Sequence, residues 1–371
     1  MNRFEEMRFR RLVRESIREV GNRRYLFEAP RGRGVRTAGG EANIQKKELV
    51  KLLKGKLDVS KGPEYIVNFL NGPGADPKVR DFIGRGLEDG DRGDETVDVT
   101  EGSATVGSLI PTQNEIEFTK SVSYPLNKFA EFKRMCGGGV LTVGAPGNDR
   151  VITSGNLIID GHHRWSSLFA IAGPEAQIAT INIGLPETDA ASVLAATQVA
   201  IASTISGKVP KATAGKSNIL GKGETEILNM IYSAYESGEG EKGPILTDDW
   251  MEKFISDPAL VEKFGLTLDM AEDIEMAREA VIEKVAKNLA QLNQPAPGAP
   301  KRDYMPQLDA AAGGVQGVLD AFKQGTVNYK EPFVIGDEPR GGRARDYVSD
   351  SYRRGGFVLE RWQRLAGVIK G

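Results

Sequence analysis

Ile158-Ile159-Asp160-Gly161-His162-His163-Arg164-Trp165 is the stretch on which the reading of this chain turns. Leu157, Ile158 and Ile159 predict a strand, paired as a hairpin with Val151-Ile152 around Thr153-Ser154-Gly155-Asn156. Residues 162–172 predict a helix, stopped by Gly173-Pro174. His162 and His163 are the only two histidines in 371 residues. Histidine is also the side chain whose ordinary pKa lies nearest neutrality. Both therefore sit at one strand-to-helix junction, beside an aspartate and an arginine.

That junction suits an anion. A helix start presents unpaired backbone N–H groups and the positive end of the helix dipole. A glycine just before it lets a phosphate approach the backbone closely. Gly161 supplies the approach, and the N–H groups of His162, His163 and Arg164 would point at the ligand. Arg164 can add a two-pronged contact to phosphate oxygens. Asp160 can cap the helix, hold a histidine tautomer, or bind Mg2+ alongside a phosphate. Either histidine can donate to a phosphate oxygen or relay a proton. A plainer reading makes Asp160 an N-cap and the histidines surface residues of a first turn. Zinc is disfavoured, because adjacent histidines rarely share one metal and Cys136 is the only thiol.

Working outward, strands and helices alternate over residues 103–184. A short strand over Val106–Pro111 is followed by a helix over 115–135, interrupted near Pro125. Val140–Val143 and Ile178–Ile183 are further strands. This argues an α+β core, a small mixed sheet embedded in a mostly helical chain. Residues 1–40 read as a basic N-terminal helix and linker, with eleven Arg against five Glu in residues 1–36. Residues 41–87 read as a small helical module and 88–102 as an acidic linker. The region 185–371 is helical at 189–205, 222–237, 247–264, 268–291, 307–324 and 357–369, with a Pro-rich loop at 294–300.

Composition sets the bounds. Charged residues make up 27% and hydrophobic ones 40%, the balance of a globular chain. A net charge of -2 gives no global attraction to nucleic acid. A single cysteine excludes an internal disulfide framework and fits a reducing compartment. No apolar run approaches the roughly 18–20 residues of a membrane span, and the glutamates among the N-terminal arginines argue against a transit peptide. The expected location is cytoplasmic. Gly215-Lys216-Ser217 resembles the end of a nucleotide-binding P-loop, but Pro210 stands where a glycine is needed. Lys208, Lys211, Lys216 and Lys222 can form a basic edge or a solvated linker.

The segment 103–184 resembles the ParB/sulfiredoxin superfamily. Leu109-Ile110-Pro111-Thr112-Gln113 resembles that family's opening strand motif. Ile159-Asp160-Gly161-His162-His163-Arg164 resembles its I-x-D-G-x-x-R signature, in the form similar to free-serine kinases and ParB-like nucleases. The resemblance implies a nucleotide phosphate site made of Gln113, Asp160, Gly161, His162, His163 and Arg164. It implies Glu115 as a catalytic acid or base beside His162 and His163, and Mg2+ (with Asp160 as its ligand) arriving with ATP, ADP or CTP. Glu115 can equally be a solvated residue early in a helix. The sulfiredoxin branch needs a reactive cysteine where His162 stands. Residues 299–307 and both terminal helices are similar to ParB-like proteins of large tailed phages, which implies a host cytoplasm or a virion.

Three functions follow as expectations. The first is a nucleotide-binding enzyme, a kinase or nucleotide hydrolase, with a small hydroxyl compound or water as acceptor. The second is a nuclease acting on phosphodiesters. The third is a non-catalytic phage or host-interaction protein that uses its terminal amphipathic helices to reach a protein partner.

Overall fold

The computed structural model describes residues 61–72, 96–144, 146–185, 189–204, 217–238, 243–267, 273–311 and 313–325. The basic N-terminal helix, the linker at 29–40, the lysines at 208, 211 and 216 and the terminal helix at 357–369 lie outside them. The described residues all belong to one compact unit that begins at Leu49.

A mixed six-stranded sheet organises the unit. Its strands are β1 (Val99–Thr105), β2 (Ile110–Pro111), β3 (Val140–Leu141), β4 (Val151–Ser154), β5 (Leu157–Asp160) and β6 (Gln177–Ile183). They run in the order β1-β6-β4-β5-β2. β3 and β4 lie end to end along one edge of β6, both parallel to it, Val140 opposite Gln177 and Val151 opposite Thr180. β1 covers the other edge of β6, antiparallel, from Val99↔Ile183 to Thr105↔Gln177. β4 and β5 form the expected antiparallel hairpin, with Gly155 at φ 59 in its tight turn.

Helices cover both faces, so the middle strands are apolar on both sides. Ile158 and Val151 enter one core, with Trp165, Phe169, Phe132 and Val281. Leu157, Ile159 and Ile152 enter the other, with Ile66, Val193 and Phe322. The helices are α1 (Gly62–Asn71), α2 (Tyr124–Asn127), α3 (Phe129–Cys136), α4 (His162–Ala172), α5 (Ala190–Thr204), α6 (Glu224–Ser237), α7 (Asp248–Ile255), α8 (Pro258–Lys263), α9 (Ile274–Leu289) and α10 (Gly314–Gln324). The first core takes α3, α4, α6, α7 and α9; the second takes α1, α5 and α10. The fold is α+β, a mixed sheet within a mainly helical chain. No helix among the described residues is long and apolar enough to cross a membrane.

Several boundaries differ from the sequence reading, each for a physical reason. β1 starts inside the stretch read as acidic linker; its residues are largely exposed and polar, and pairing with β6 makes them a strand. Val106–Ser108 is a 3-10 turn rather than strand, because Val106 N and Gly107 N donate to Ala176 O and Pro174 O, both at 2.8 Å. The break in the 115–135 helix falls at Lys128, three residues after Pro125, which sits where the π-helical turn Thr119–Ser123 runs on into α2. The 247–264 helix divides at Asp257, which caps α8 ahead of Pro258. Of the C-terminal helices, α10 reaches the sheet, with Val97 N donating to Phe322 O, and α9 packs on α4, where Asn288 Nδ2 donates to Ala170 O.

Candidate functional site

Gly161 makes the turn from β5 into α4 with φ 93 and ψ 21, a conformation that glycine adopts without strain. It is itself the N-cap, and no side chain among the described residues caps the helix. The first-turn N–H groups are therefore left without a side-chain acceptor. Asp160 does not cap; its Oδ2 accepts from Arg164 Nη2 at 2.6 Å. Arg164 Nη1 donates to Asn148 Oδ1 and to Asn148 O, at 2.5 and 3.0 Å. Its Nε is buried and has no hydrogen-bond partner among the described residues. The guanidinium folds back over Gly161, so that a Cβ there would stand 2.8 Å from Arg164 Nε.

The two histidines are held differently. His162 is buried at 5% exposure, and its Nε2 accepts from Thr112 N at 3.1 Å. The lone pair is thus on Nε2 and the proton of the neutral ring on Nδ1. Burial, then the charges of His163, Arg164 and Arg302, push its pKa well below the ordinary 6.5. His163 Nδ1 lies 3.0 Å from Ser121 Oγ. Ser121 Oγ donates its hydrogen to Glu117 O at 2.8 Å, so it accepts from His163 Nδ1–H and leaves a lone pair on His163 Nε2. Burial lowers the His163 pKa to about 3, helped by Arg302 and Lys120 and opposed by Glu117. Both rings are neutral at physiological pH, and neither supplies positive charge.

Charge comes instead from Lys120, Arg164 and Arg302. Lys120 and Ser121 ride on a π-helical turn, Thr119–Ser123, tied to α4 by Ser167 Oγ donating to Ser121 O at 2.6 Å. Arg302 arrives from a 3-10 turn after the Pro-rich loop. That loop is docked beside β2 by Ala296 N donating to Pro111 O and Asn114 N donating to Pro300 O. Arg302 Nη1 donates to Glu117 Oε2 at 2.8 Å, both side chains nearly buried. Burial raises the Glu117 pKa, but the hydrogen bonds from Arg302 and Thr119 and the nearby charges of Arg302 and Lys120 outweigh it, and the net shift is downward.

Lys120, Arg164, Arg302 and both histidines line a cavity of about 260 Å³. Residues 159–164 line it together with Gln113, Lys120 and Asn148 and with Arg302, Met305, Pro306, Gln307 and Asp309. Gln113, Asp160, Gly161, His162, His163 and Arg164 are thus brought together. Glu115 does not line the cavity; it is half-buried, and its backbone carbonyl accepts from Gln113 Nε2 at 2.6 Å. The carboxylate linked to the site is Glu117, two residues on. Arg302 was not legible as a site residue, although residues 299–307 stood out as a motif. Nothing local says that this segment returns to α4.

Among the described residues no group of three or more His, Cys, Asp or Glu is placed to hold a metal ion. Asp160 and Asp309 are the carboxylates on the cavity wall, and Asp160 is already engaged by Arg164. Cys136 is buried at the end of α3, its thiol pushed up to about 12 by burial, which makes it inert as a nucleophile. No family model, curated protein or solved structure matches the chain.

Proposed function

We propose that this protein binds a nucleotide through its phosphates at the start of α4, as the ParB/sulfiredoxin-like signature implies. The observation that carries this reading is the convergence on one cavity of an uncapped helix N-terminus, the turn glycine Gly161, and the cations Lys120, Arg164 and Arg302. Backbone N–H groups and cations in such a concavity favour a multiply charged oxyanion. Two neutral imidazoles add donors or acceptors without repelling a metal-bound nucleotide. A cavity of about 260 Å³ suits a phosphate chain better than a whole enclosed nucleotide.

The donor set fits Mg2+ that travels with the nucleotide, since Mg2+ takes one or two carboxylates together with phosphate oxygens and water. Asp160 and Asp309 would hold it, Asp160 by exchanging its contact with Arg164. Bound there, Mg2+ would neutralise developing phosphate charge. Arg164 and the α4 N–H groups orient the phosphates, and His163 Nε2 can accept a hydrogen bond from an incoming hydroxyl or water. Phosphoryl transfer or nucleotide hydrolysis is the chemistry this arrangement serves, in the reducing cytoplasm that a single cysteine suits. A nuclease is the second reading, and the same phosphate contacts would serve it.

Melting curves with ATP, ADP and CTP, each with and without Mg2+, test the proposal. At least one nucleotide should raise the melting temperature of the full chain. His163→Ala or Arg164→Ala should remove that rise. No rise with any of them in the wild-type protein would overturn the nucleotide reading, and metal-dependent cleavage of DNA or RNA abolished by the same substitutions would favour the nuclease.

A further inference from the structure

Arg302 reaches this cavity from 185 residues beyond Glu117, and it does so already paired. We infer that Arg302 is a ligand-binding residue of the phosphate site, held ready by Glu117 and released to an incoming phosphate; this rests on the phosphate reading above. Its position is the first support. Arg302 lines the same cavity as the α4 N-terminus, and its charge acts on both His162 and His163 there, so a phosphate seated on the α4 N–H groups would come under the same charge.

The form of the ion pair is the second. Glu117 takes one Nη1 hydrogen bond at 2.8 Å, leaving most of a five-donor planar fork without a carboxylate partner among the described residues. A strut built only for stability would be expected to use the two-pronged geometry that guanidinium and carboxylate allow. Glu117 is fixed independently: Thr119 Oγ1 donates to its Oε1 at 3.1 Å, and its backbone carbonyl accepts from Ser121. It can therefore give up Arg302 without losing its own place.

The surroundings are the third. Lys120 and Arg302 both approach Glu117, so the carboxylate neutralises part of the positive charge that would otherwise face an anion. Glu117 thus acts as a placeholder, lowering the cost of bringing two cations close together and competing with the ligand when one arrives. A phosphate carries more charge and more acceptor oxygens than a carboxylate, and so wins the competition.

A ligand role and a purely structural role predict opposite patterns. Binding of ATP, ADP, CTP and inorganic tripolyphosphate to the full chain would be measured by titration calorimetry. Arg302→Gln should weaken binding by roughly tenfold to a hundredfold, the loss of a charge-assisted contact. Glu117→Gln, which keeps the shape and removes the competitor, should tighten binding by roughly threefold or more. The double variant should bind no tighter than Arg302→Gln, showing that the gain runs through Arg302. If the wild-type chain binds and Arg302→Gln binds equally well, the inference fails while the phosphate reading stands. It fails in the same way if both single variants weaken binding alike, the signature of a broken strut. If Arg302→Gln does not fold, Glu117→Gln decides: tighter binding supports the role, unchanged or weaker binding overturns it. Failure of the wild-type chain to bind any of the four overturns the phosphate reading and the inference with it.

Discussion

Gly161→Ala measures how much of the α4 start is built around the absence of a side chain. Two costs are separable in the structure. The backbone at φ 93 and ψ 21 lies in the left-handed region, where an L-residue with a Cβ is strained by roughly 1–2 kcal/mol. The added Cβ would also stand 2.8 Å from Arg164 Nε, 2.9 Å from Nη2 and 3.2 Å from Cζ. The guanidinium must move, and it loses its bonds to Asp160 and Asn148. Arg164 is 15% and Asp160 32% exposed in their side chains, so solvent screening reduces that loss to about 1 kcal/mol. Gly161→Ala should therefore cost about 2–3 kcal/mol in urea unfolding of the full chain. In an Arg164→Ala background the second cost is already present, and the same substitution should cost only about 1–2 kcal/mol. A loss below about 0.5 kcal/mol, or the same loss in both backgrounds, would refute the account of Gly161 as the close-approach point for Arg164.

Acid should weaken the fold before carboxylates titrate. His163 is lowered to about 3 and His162 well below 6.5 in the folded chain, so the unfolded chain binds more protons below about pH 6.5. Stability present above that pH is lost as the pH falls toward about 3, at up to roughly 1.4 kcal/mol per pH unit for each ring. The urea midpoint should fall between pH 7 and pH 5, and a flat midpoint would contradict the burial argument. Trp165→Phe should cost about 2–3 kcal/mol in the same assay: the ring is fully buried, and its Nε1 donates at 2.7 Å to Val106 O, which keeps only Leu109 N at 3.3 Å. A loss below about 0.5 kcal/mol would show that the 3-10 turn does not depend on that bond.

The strand, turn and helix over 157–172 were legible because their causes are local. A run of branched apolar residues, a glycine at the positive-φ turn and Gly173-Pro174 at the far end act within a few residues of one another. α4 accordingly spans the residues predicted for it, and Gln113 and residues 160–164 meet in one cavity. β1 was not legible, since Val99–Thr105 is polar and largely exposed and owes its form to the edge of β6. The choice of acid near the site was not legible either. Between Glu115 and Glu117 the direction of the chain before the π-helical turn decides which carboxylate meets Arg302, and periodicity does not encode it.

What the amino-acid sequence determined by itself was the local architecture of the candidate site: one glycine turn before a helix, bearing both histidines and an arginine. What only the tertiary structure decided was the state and the company of those residues. Burial makes the imidazoles neutral, and Ser121 and Thr112 set their tautomers. Arg302 comes from across the molecule to supply charge that the histidines do not. Backbone conformation follows from neighbours in sequence, whereas desolvation and charge follow from neighbours in space, and those exist only once the chain has folded.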